Sequence, residues 1–157
     1  MKTKKIVKAG IIAAIYVCLT YIGAPFASGV IQVRLSEALC VLPVFTPYAI
    51  PGVFVGCVIA NLLTGAVVWD IAFGSLATLI GALGTYFLRK NRLLALLPPI
   101  IANMIVVPFV LSYAYHIEGA VWWFMVTVGA GEVVSVGILG GILGKVIDKN
   151  RFLKEIF

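Results

Sequence analysis

The sequence predicts an all-α integral membrane protein of six transmembrane helices with both termini in the cytoplasm. Of its 157 residues, 62% are hydrophobic and only 11% are charged, whereas about a quarter of the residues in a soluble domain are charged. The apolar runs are apolar on every face, unlike the strands of a transmembrane barrel, which alternate in polarity. At about 20 residues per span, the length allows a single domain, residues 1–157, with short connections between six helices.

Six apolar runs, bounded by prolines, glycines or charges, define the predicted helices. We place them at residues 6–23, 33–45, 48–68, 70–88, 93–115 and 120–147. Pro25 and Gly29 are expected to end the first helix, and Pro47 separates the short second helix from the third. Pro51 is tolerated in the first turn of the third helix, and prolines are expected to bend the fifth. The N-terminus loosely resembles a signal peptide, but a proline fits the cleavage position poorly, so we expect a retained helix.

The basic residues predict the orientation in a cell membrane. Apart from Arg34 at the start of the second run, they lie at or before the start of the first run, at or after the end of the last, or in the short loop at residues 89–92. Since short segments rich in lysine and arginine stay in the cytoplasm, both termini and this loop are expected inside. The connections at residues 24–32, 68–70 and 116–119 are then outside. These flanks account for the net charge of +6 and suit anionic lipid, so we do not expect nucleic-acid binding.

A few polar side chains fall inside or at the ends of the apolar runs, where such groups are costly and tend to be functional. They are Arg34, Glu37, Asn61, Asp70, Asn103 and Glu132. Arg34 and Glu37 are three residues apart and share a helical face, so they either form a structural ion pair or serve a site. Asp70 either caps the fourth helix or faces a ligand.

Glu132 lies about 18 Å below the outer end of the sixth helix, near the midplane, at 1.5 Å of rise per residue. Its sequence neighbours are Gly, Ala and Val, so the carboxyl group must be protonated, paired across helices or satisfied by a ligand. Asn103 is expected at a similar depth and Asn61 further out. Together they form either a polar network between helices or a site for a neutral or cationic heterocycle with several hydrogen-bond donors.

Aromatic residues cluster towards the predicted outer side. They are Trp69, Tyr113, Tyr115, Trp122, Trp123 and Phe124. Most suit the interfacial belt of a membrane protein, and one or two of them, such as Trp122, are candidates to turn inward and stack on a flat ligand.

No catalytic, metal-binding or nucleotide-binding pattern is found. Cys18, Cys40 and Cys57 are interpreted as small apolar fillers, and His116 as a loop histidine without a second histidine to help bind a metal. Residues 140–146 lack the first glycine and the Ser/Thr of a phosphate-binding loop. We therefore expect no enzyme, no cofactor and no metal site, and any uphill transport needs an ion gradient or a partner.

Four stretches resemble the QueT family of queuosine-precursor transporters. They are IQVRLSEAL at residues 31–39, PVF at 43–45, GVFVGCVIANLL at 52–63 and DIAFGSLATL at 70–79. Members of this family are the substrate-binding S components of energy-coupling-factor (ECF) transporters. The resemblance implies a six-helix S-component bundle that takes up a vitamin-like solute from outside. It also implies partnership with a transmembrane T component and two cytoplasmic ATPase subunits.

The resemblance also assigns residues. The family docks on the T component through A-x-x-x-A in its first helix, which Ala9 and Ala13 match; such spacing otherwise serves internal helix packing. The implied solute is a 7-deazaguanine such as preQ1, which has a guanine-like donor edge and an ammonium group. Glu132 and Asn61 are then expected at the ring edge, with Glu37 or Asp70 nearest the ammonium. Arg34 would orient Glu37, Asn103 would bind ring polar atoms, and Trp122 would stack.

Two other functions stay open from the sequence. A stand-alone carrier driven by a proton gradient would use Glu132 as its proton site. A purely structural subunit would bind no ligand, although the cost of a midplane glutamate counts against it. The outer loop at residues 24–32 is either a lid or a static linker.

Overall fold

The computed structural model describes residues 2–27 and 33–156, and within these ranges every regular element is helical. In chain order the elements are α1 (Lys2–Ala27), a 3-10 helix (Leu35–Val44), α2 (Ala49–Leu63), α3 (Val68–Phe87), α4 (Arg92–Ala95), α5 (Leu97–Tyr113), α6 (Val121–Glu132), a π-helical segment (Val133–Gly140), α7 (Gly141–Lys149) and α8 (Arg151–Ile156). The prediction of an all-α protein is confirmed.

Four helical stretches in the described ranges are long and apolar enough to cross a membrane. They are Thr3–Pro25, Val68–Phe87, Arg92–Tyr113 and Val121–Lys149. The predicted second and third spans are shorter, with 10 and 15 residues. At about 2.0 Å per residue for a 3-10 helix and 1.5 Å for an α-helix, each covers roughly 20 Å of a 30 Å hydrocarbon core. The chain is a multi-pass membrane protein, and six crossings stay a prediction.

Two predicted helix ends were wrong. α1 continues through Pro25 to Ala27, since a proline in the last turn costs little when few hydrogen bonds follow it. α2 ends at Leu63, five residues early, because Gly65 adopts a left-handed φ of 72° that turns the chain. Most of the predicted outer loop, including Gly29, lies outside the described residues.

The first two prolines of the fifth predicted span lie at the start of a helix and do not bend one. Pro98 and Pro99 lie in the first turn of α5, where their missing amides leave no bond unmade. The span is divided instead at Leu96, between α4 and α5. The Asn91 side chain caps α4 by accepting from two backbone amides.

The helices follow one another around a central 3-10 helix. α1 packs on α2, α2 on α3, α3 on α5 and α5 on α6, while the 3-10 helix contacts α1, α3 and the π-helical segment. Residues 36–43 of the 3-10 helix are all buried. The side chain of Glu37 is therefore held in the middle of the bundle.

The basic segments collect at one end of the bundle. Lys5 lies over the ring of Tyr48, and Arg92 lies over the ring of Phe45. Arg92 also forms an ion pair with Asp148 of α7, which ties the start of α4 to the C-terminal segment. We call this end the basic end; its cytoplasmic location stays a prediction.

Candidate functional site

A cavity of about 410 Å³ lies at the end of the bundle opposite the basic end. Its walls come from the C-terminal parts of α1, α2 and α5, the start of the 3-10 helix and the start of α3. The polar side chains that line it are Tyr16, Thr20, Arg34, Ser36, Asn61, Thr64, Asp70 and Tyr115. The volume is within the range of small-molecule sites, about 300–1,000 Å³.

Asp70 connects three elements at the wall of this cavity. Its Oδ2 accepts a hydrogen bond from the Tyr115 hydroxyl at 3.0 Å and lies 3.8 Å from a guanidinium nitrogen of Arg34. Its Oδ1 is buried and has no hydrogen-bond partner in the protein. Partial burial and the Asp70 carboxylate raise the pKa of Tyr115 above its usual range, so the phenol stays protonated and remains a donor.

The ion pair differs from the one that the sequence suggested. Arg34 precedes the 3-10 helix and has an extended backbone, with φ −95° and ψ 101°. Its side chain therefore leaves the helical face of Glu37 and reaches Asp70 instead. The proposal that Asp70 caps its own helix is not supported either, because no side chain caps the start of α3.

Asn61 and Gly74 hold the Asp70 region in place. Asn61 Nδ2 donates to the backbone oxygen of Asp70 at 3.4 Å and thereby links α2 to α3. A Cβ atom at Gly74 would lie 2.7 Å from Asp70 Oδ1 and 3.6 Å from Asn61 Nδ2. Glycine at position 74 therefore leaves the space that the Asp70 carboxylate occupies.

Glu37 lies behind the cavity wall and is fully buried. It accepts hydrogen bonds from the Tyr16 hydroxyl, from Cys40 Sγ at 3.1 Å and from Thr78 Oγ1 at 3.3 Å. Since Tyr16 also lines the cavity, its ring separates the cavity from this carboxyl group. Cys40 and Cys57 are buried and Cys57 is part of the hydrophobic core, as expected of apolar fillers. Each also makes a hydrogen bond through sulfur, since Cys57 accepts from Thr78 at 3.5 Å.

Glu132 also lies outside the cavity lining. It is 3% exposed, its Oε2 has no hydrogen-bond partner, and the same holds for Nδ2 of Asn103, which is 2% exposed. The helices that carry these two residues, α5 and α6, pack against each other. Glu132 ends α6 where the π-helical segment begins, and such segments often mark functional sites.

Trp122 is not placed at the cavity. Its side chain is 66% exposed on the start of α6 and contacts Trp123 edge to face, with ring centroids 5.9 Å apart. Tyr16 and Tyr115 supply the aromatic rings of the cavity instead. Tyr16 was not predicted as a site residue, because a tyrosine in an apolar run is usually a packing residue. Only the position of Glu37 beside it shows that its hydroxyl is a donor.

The small residues of α1 divide between two faces. Ala13 is buried against α2, where a Cβ at Gly56 would lie 3.0 Å from its backbone oxygen. A Cβ at Gly52 would lie 2.9 Å from the backbone oxygen of Ala9. The A-x-x-x-A pair thus contributes to packing within the chain. Gly10 and Ala14, one position further on, are exposed.

Comparison with known proteins identifies the family. The family described as QueT transporter matches residues 6–149, a range that includes every polar residue of the cavity and the buried cluster behind it. No curated protein and no solved structure matches the chain. The chain belongs to the QueT transporter family.

Proposed function

We propose that the protein is the substrate-binding S component of an ECF-type importer. It captures a queuosine precursor, a 7-deazaguanine such as preQ1, from outside the cell. Six membrane crossings with both termini in the cytoplasm would place the cavity on the outer side, because it lies opposite the basic end. The observation that carries the proposal is this cavity, whose polar lining includes Asp70 together with its partners Arg34 and Tyr115.

The cavity suits the functional groups of preQ1. The Asp70 carboxylate would accept from the ammonium group, and Arg34 would hold this carboxylate in place from the other side. Asn61 would bind a polar atom of the ring edge, and the rings of Tyr16 and Tyr115 would contact its flat face. Glu37, Glu132 and Asn103 would act from behind this first layer of contacts.

Movement of the solute would depend on partner subunits. The chain shows no phosphate-binding loop in its sequence, so a T component and two cytoplasmic ATPase subunits would supply the energy. The docking element would be α1, as the family's A-x-x-x-A indicates with Ala9 and Ala13. Since Ala13 packs on α2, Gly10 and Ala14 are the small residues that a partner helix can approach closely.

Calorimetric titration of the purified chain with preQ1 tests the substrate and the site. We expect a Kd below about 10 μM. Asp70→Asn keeps the side-chain shape but removes the charge, and should weaken binding at least about tenfold, since hydrogen bonds to charged groups contribute about 1.5–3 kcal/mol. Asp148→Asn, at the basic end, is the matched control. Failure of preQ1 and related deazapurines to bind would refute the substrate; unchanged affinity in Asp70→Asn would refute the site.

A second candidate function is a stand-alone proton-coupled carrier. It is favoured by Glu132, a buried carboxyl group with one unpartnered oxygen, which directly precedes the π-helical segment that packs on the helix of Glu37. Liposomes containing only this chain separate the two functions. Uptake of preQ1 driven by a pH gradient supports the carrier, whereas uptake that requires added T and ATPase subunits supports the importer. Co-purification of those subunits from native membranes would identify the partners directly.

A further inference from the structure

A second, smaller depression lies at the basic end of the bundle, and we call it the basic groove. It has a volume of about 110 Å³ and lies between α7, α4 and the end of the 3-10 helix. The α7 residues that line it are Gly141, Gly144, Lys145 and Asp148, whose spacing of three or four residues puts them on one face of the helix. None of these four residues lines the cavity around Asp70.

The basic groove has an apolar bottom and a charged edge. Val41 and Gly144 are buried at its bottom, and Leu96 is half-buried beside them. A Cβ atom at Gly144 would already lie 3.4 Å from Val41 Cγ2, so glycine keeps this space open. Arg92 and Lys145, which also line the groove, are exposed. This layout suits a molecule with one apolar part and one charged part.

The charges at the edge of the groove favour an anion. Asp148 Oδ1 accepts a hydrogen bond from Arg92 at 2.7 Å and lies 3.8 Å from Lys154 Nζ, so one carboxylate serves two basic side chains. Lys145 adds a third positive charge, and no ion pair joins it to a carboxylate within the described ranges. Together these four side chains carry two more positive charges than negative ones.

The groove lies at the depth of lipid headgroups. Arg92 is the first residue of one helical stretch long enough to cross a membrane, and α7 forms the end of another, which stops at Lys149. Lys145 is four residues from that end, or about 6 Å at 1.5 Å per residue. The headgroup region on each side of the hydrocarbon core is about 5–8 Å thick. The charged edge is therefore level with the headgroups, and the apolar bottom is level with the start of the acyl chains.

The volume of the groove favours a lipid over a soluble metabolite. Sites for soluble small molecules usually measure about 300–1,000 Å³ and enclose most of the ligand, and the basic groove is smaller, at about 110 Å³. A phospholipid needs no such enclosure, because the bilayer surrounds the rest of the molecule. The groove has to accept only the part of the lipid next to its headgroup.

We infer that the basic groove binds one anionic phospholipid of the adjacent leaflet. The headgroup phosphate lies between Arg92 and Lys145, and the start of one acyl chain lies against Gly141 and Gly144. Arg92 keeps its bond to Asp148 and donates to the phosphate as well, since a guanidinium group has several N–H donors. The lipid thereby joins α4 to α7. Its binding is independent of the solute in the cavity.

Two lipids that differ in headgroup charge test the site. The purified full chain is titrated in detergent with phosphatidylglycerol or with phosphatidylcholine of the same acyl chains, and bound lipids are counted by native mass spectrometry. Thermal unfolding of the same samples reports affinity in solution, since a ligand of the folded state raises the unfolding temperature. We expect one phosphatidylglycerol to bind at least about tenfold more tightly than phosphatidylcholine. This preference should shrink at high salt.

Variants distinguish the groove from the general positive charge of the basic end. Lys145→Gln should weaken phosphatidylglycerol binding about fivefold. Lys149→Gln, the matched control, removes the same charge from the same helix outside the groove lining and should have little effect. Gly141→Leu keeps every charge and fills the groove; the fold should survive, because a Cβ atom at Gly141 lies 3.9 Å from Leu96 Cδ1, an ordinary contact. It should weaken binding at least as much as Lys145→Gln.

Each other outcome overturns a stated part of the inference. Equal affinities for the two lipids overturn the site. Equal losses in Lys145→Gln and Lys149→Gln overturn it as well, because the attraction then belongs to the whole basic end. Competition by glycerol phosphate, a soluble equivalent of the headgroup, at the concentrations at which phosphatidylglycerol binds would replace the lipid by a free phosphate ligand. Unchanged affinity in Gly141→Leu would overturn the placement of the acyl chain.

Discussion

Replacing Gly74 by alanine tests whether the Asp70 carboxylate is the centre of the site. The new Cβ would lie 2.7 Å from Asp70 Oδ1, whereas ordinary contacts begin at 3.4 Å. The carboxylate must therefore move by about 0.7 Å, the difference between these distances. The fold should survive, because the atom in the way is the end of a side chain and alanine favours the helix by about 1 kcal/mol over glycine.

The displacement should weaken ligand binding more than stability. The hydrogen bond from the Tyr115 hydroxyl to Asp70 is 3.0 Å long, and the Arg34 guanidinium nitrogen is already 3.8 Å from Asp70 Oδ2. A carboxylate shift of about 0.7 Å away from either group would therefore break that contact. Loss of one hydrogen bond to a charged group costs about 1.5–3 kcal/mol. Because 1.4 kcal/mol is a factor of ten, the Kd for preQ1 should rise about 10- to 150-fold.

Gly10→Ala is the matched control, since Gly10 also lies in a long helix and a Cβ there has no neighbour within 4 Å. Calorimetric titration with preQ1 and thermal unfolding are measured on both variants. We expect both to remain folded and only Gly74→Ala to lose affinity. Equal affinities for the two variants would refute the assignment of Asp70 to the ligand site.

Three further predictions concern packing, the buried cluster and docking. Gly56→Ala should lower the unfolding temperature, because its Cβ would lie 2.7 Å from Tyr16 Cβ and 3.1 Å from a backbone atom of α1. We expect this overpacking to destabilise the protein by about 1–3 kcal/mol. An unchanged unfolding midpoint would contradict the packing of α1 on α2. Tyr16→Phe removes a donor to Glu37 and should destabilise the protein by about 1–3 kcal/mol, measured by denaturant unfolding in detergent; no loss would show that the bond contributes nothing. Gly10→Leu combined with Ala14→Leu should abolish uptake with the partner subunits while sparing preQ1 binding to the purified chain, and retained uptake would exclude this face from docking.

Several properties followed from residue types alone. The apolar runs predicted a helical membrane protein, since only helices and closed barrels satisfy their backbone groups in lipid, and the runs lacked the alternation of a barrel. The cost of polar groups in lipid selected Arg34, Asn61 and Asp70, which line the cavity, and Glu37 and Glu132, which are buried outside its lining. Helix lengths were less predictable. The apolar run of the third predicted helix continues past Gly65, but α2 ends before it because Gly65 adopts a left-handed conformation.

The pairing of these residues was decided by the tertiary structure. Arg34 shares a sequence spacing with Glu37 but meets Asp70, because an extended backbone turns its side chain towards α3. Tyr16 and Glu37 are 21 residues apart and meet only because α1 packs beside the 3-10 helix. The sequence alone thus determined which side chains would be costly to bury, since the free energy of transfer from water depends on the chemical group itself. Which group compensates which depends on distances between helices, and these follow from how the helices pack.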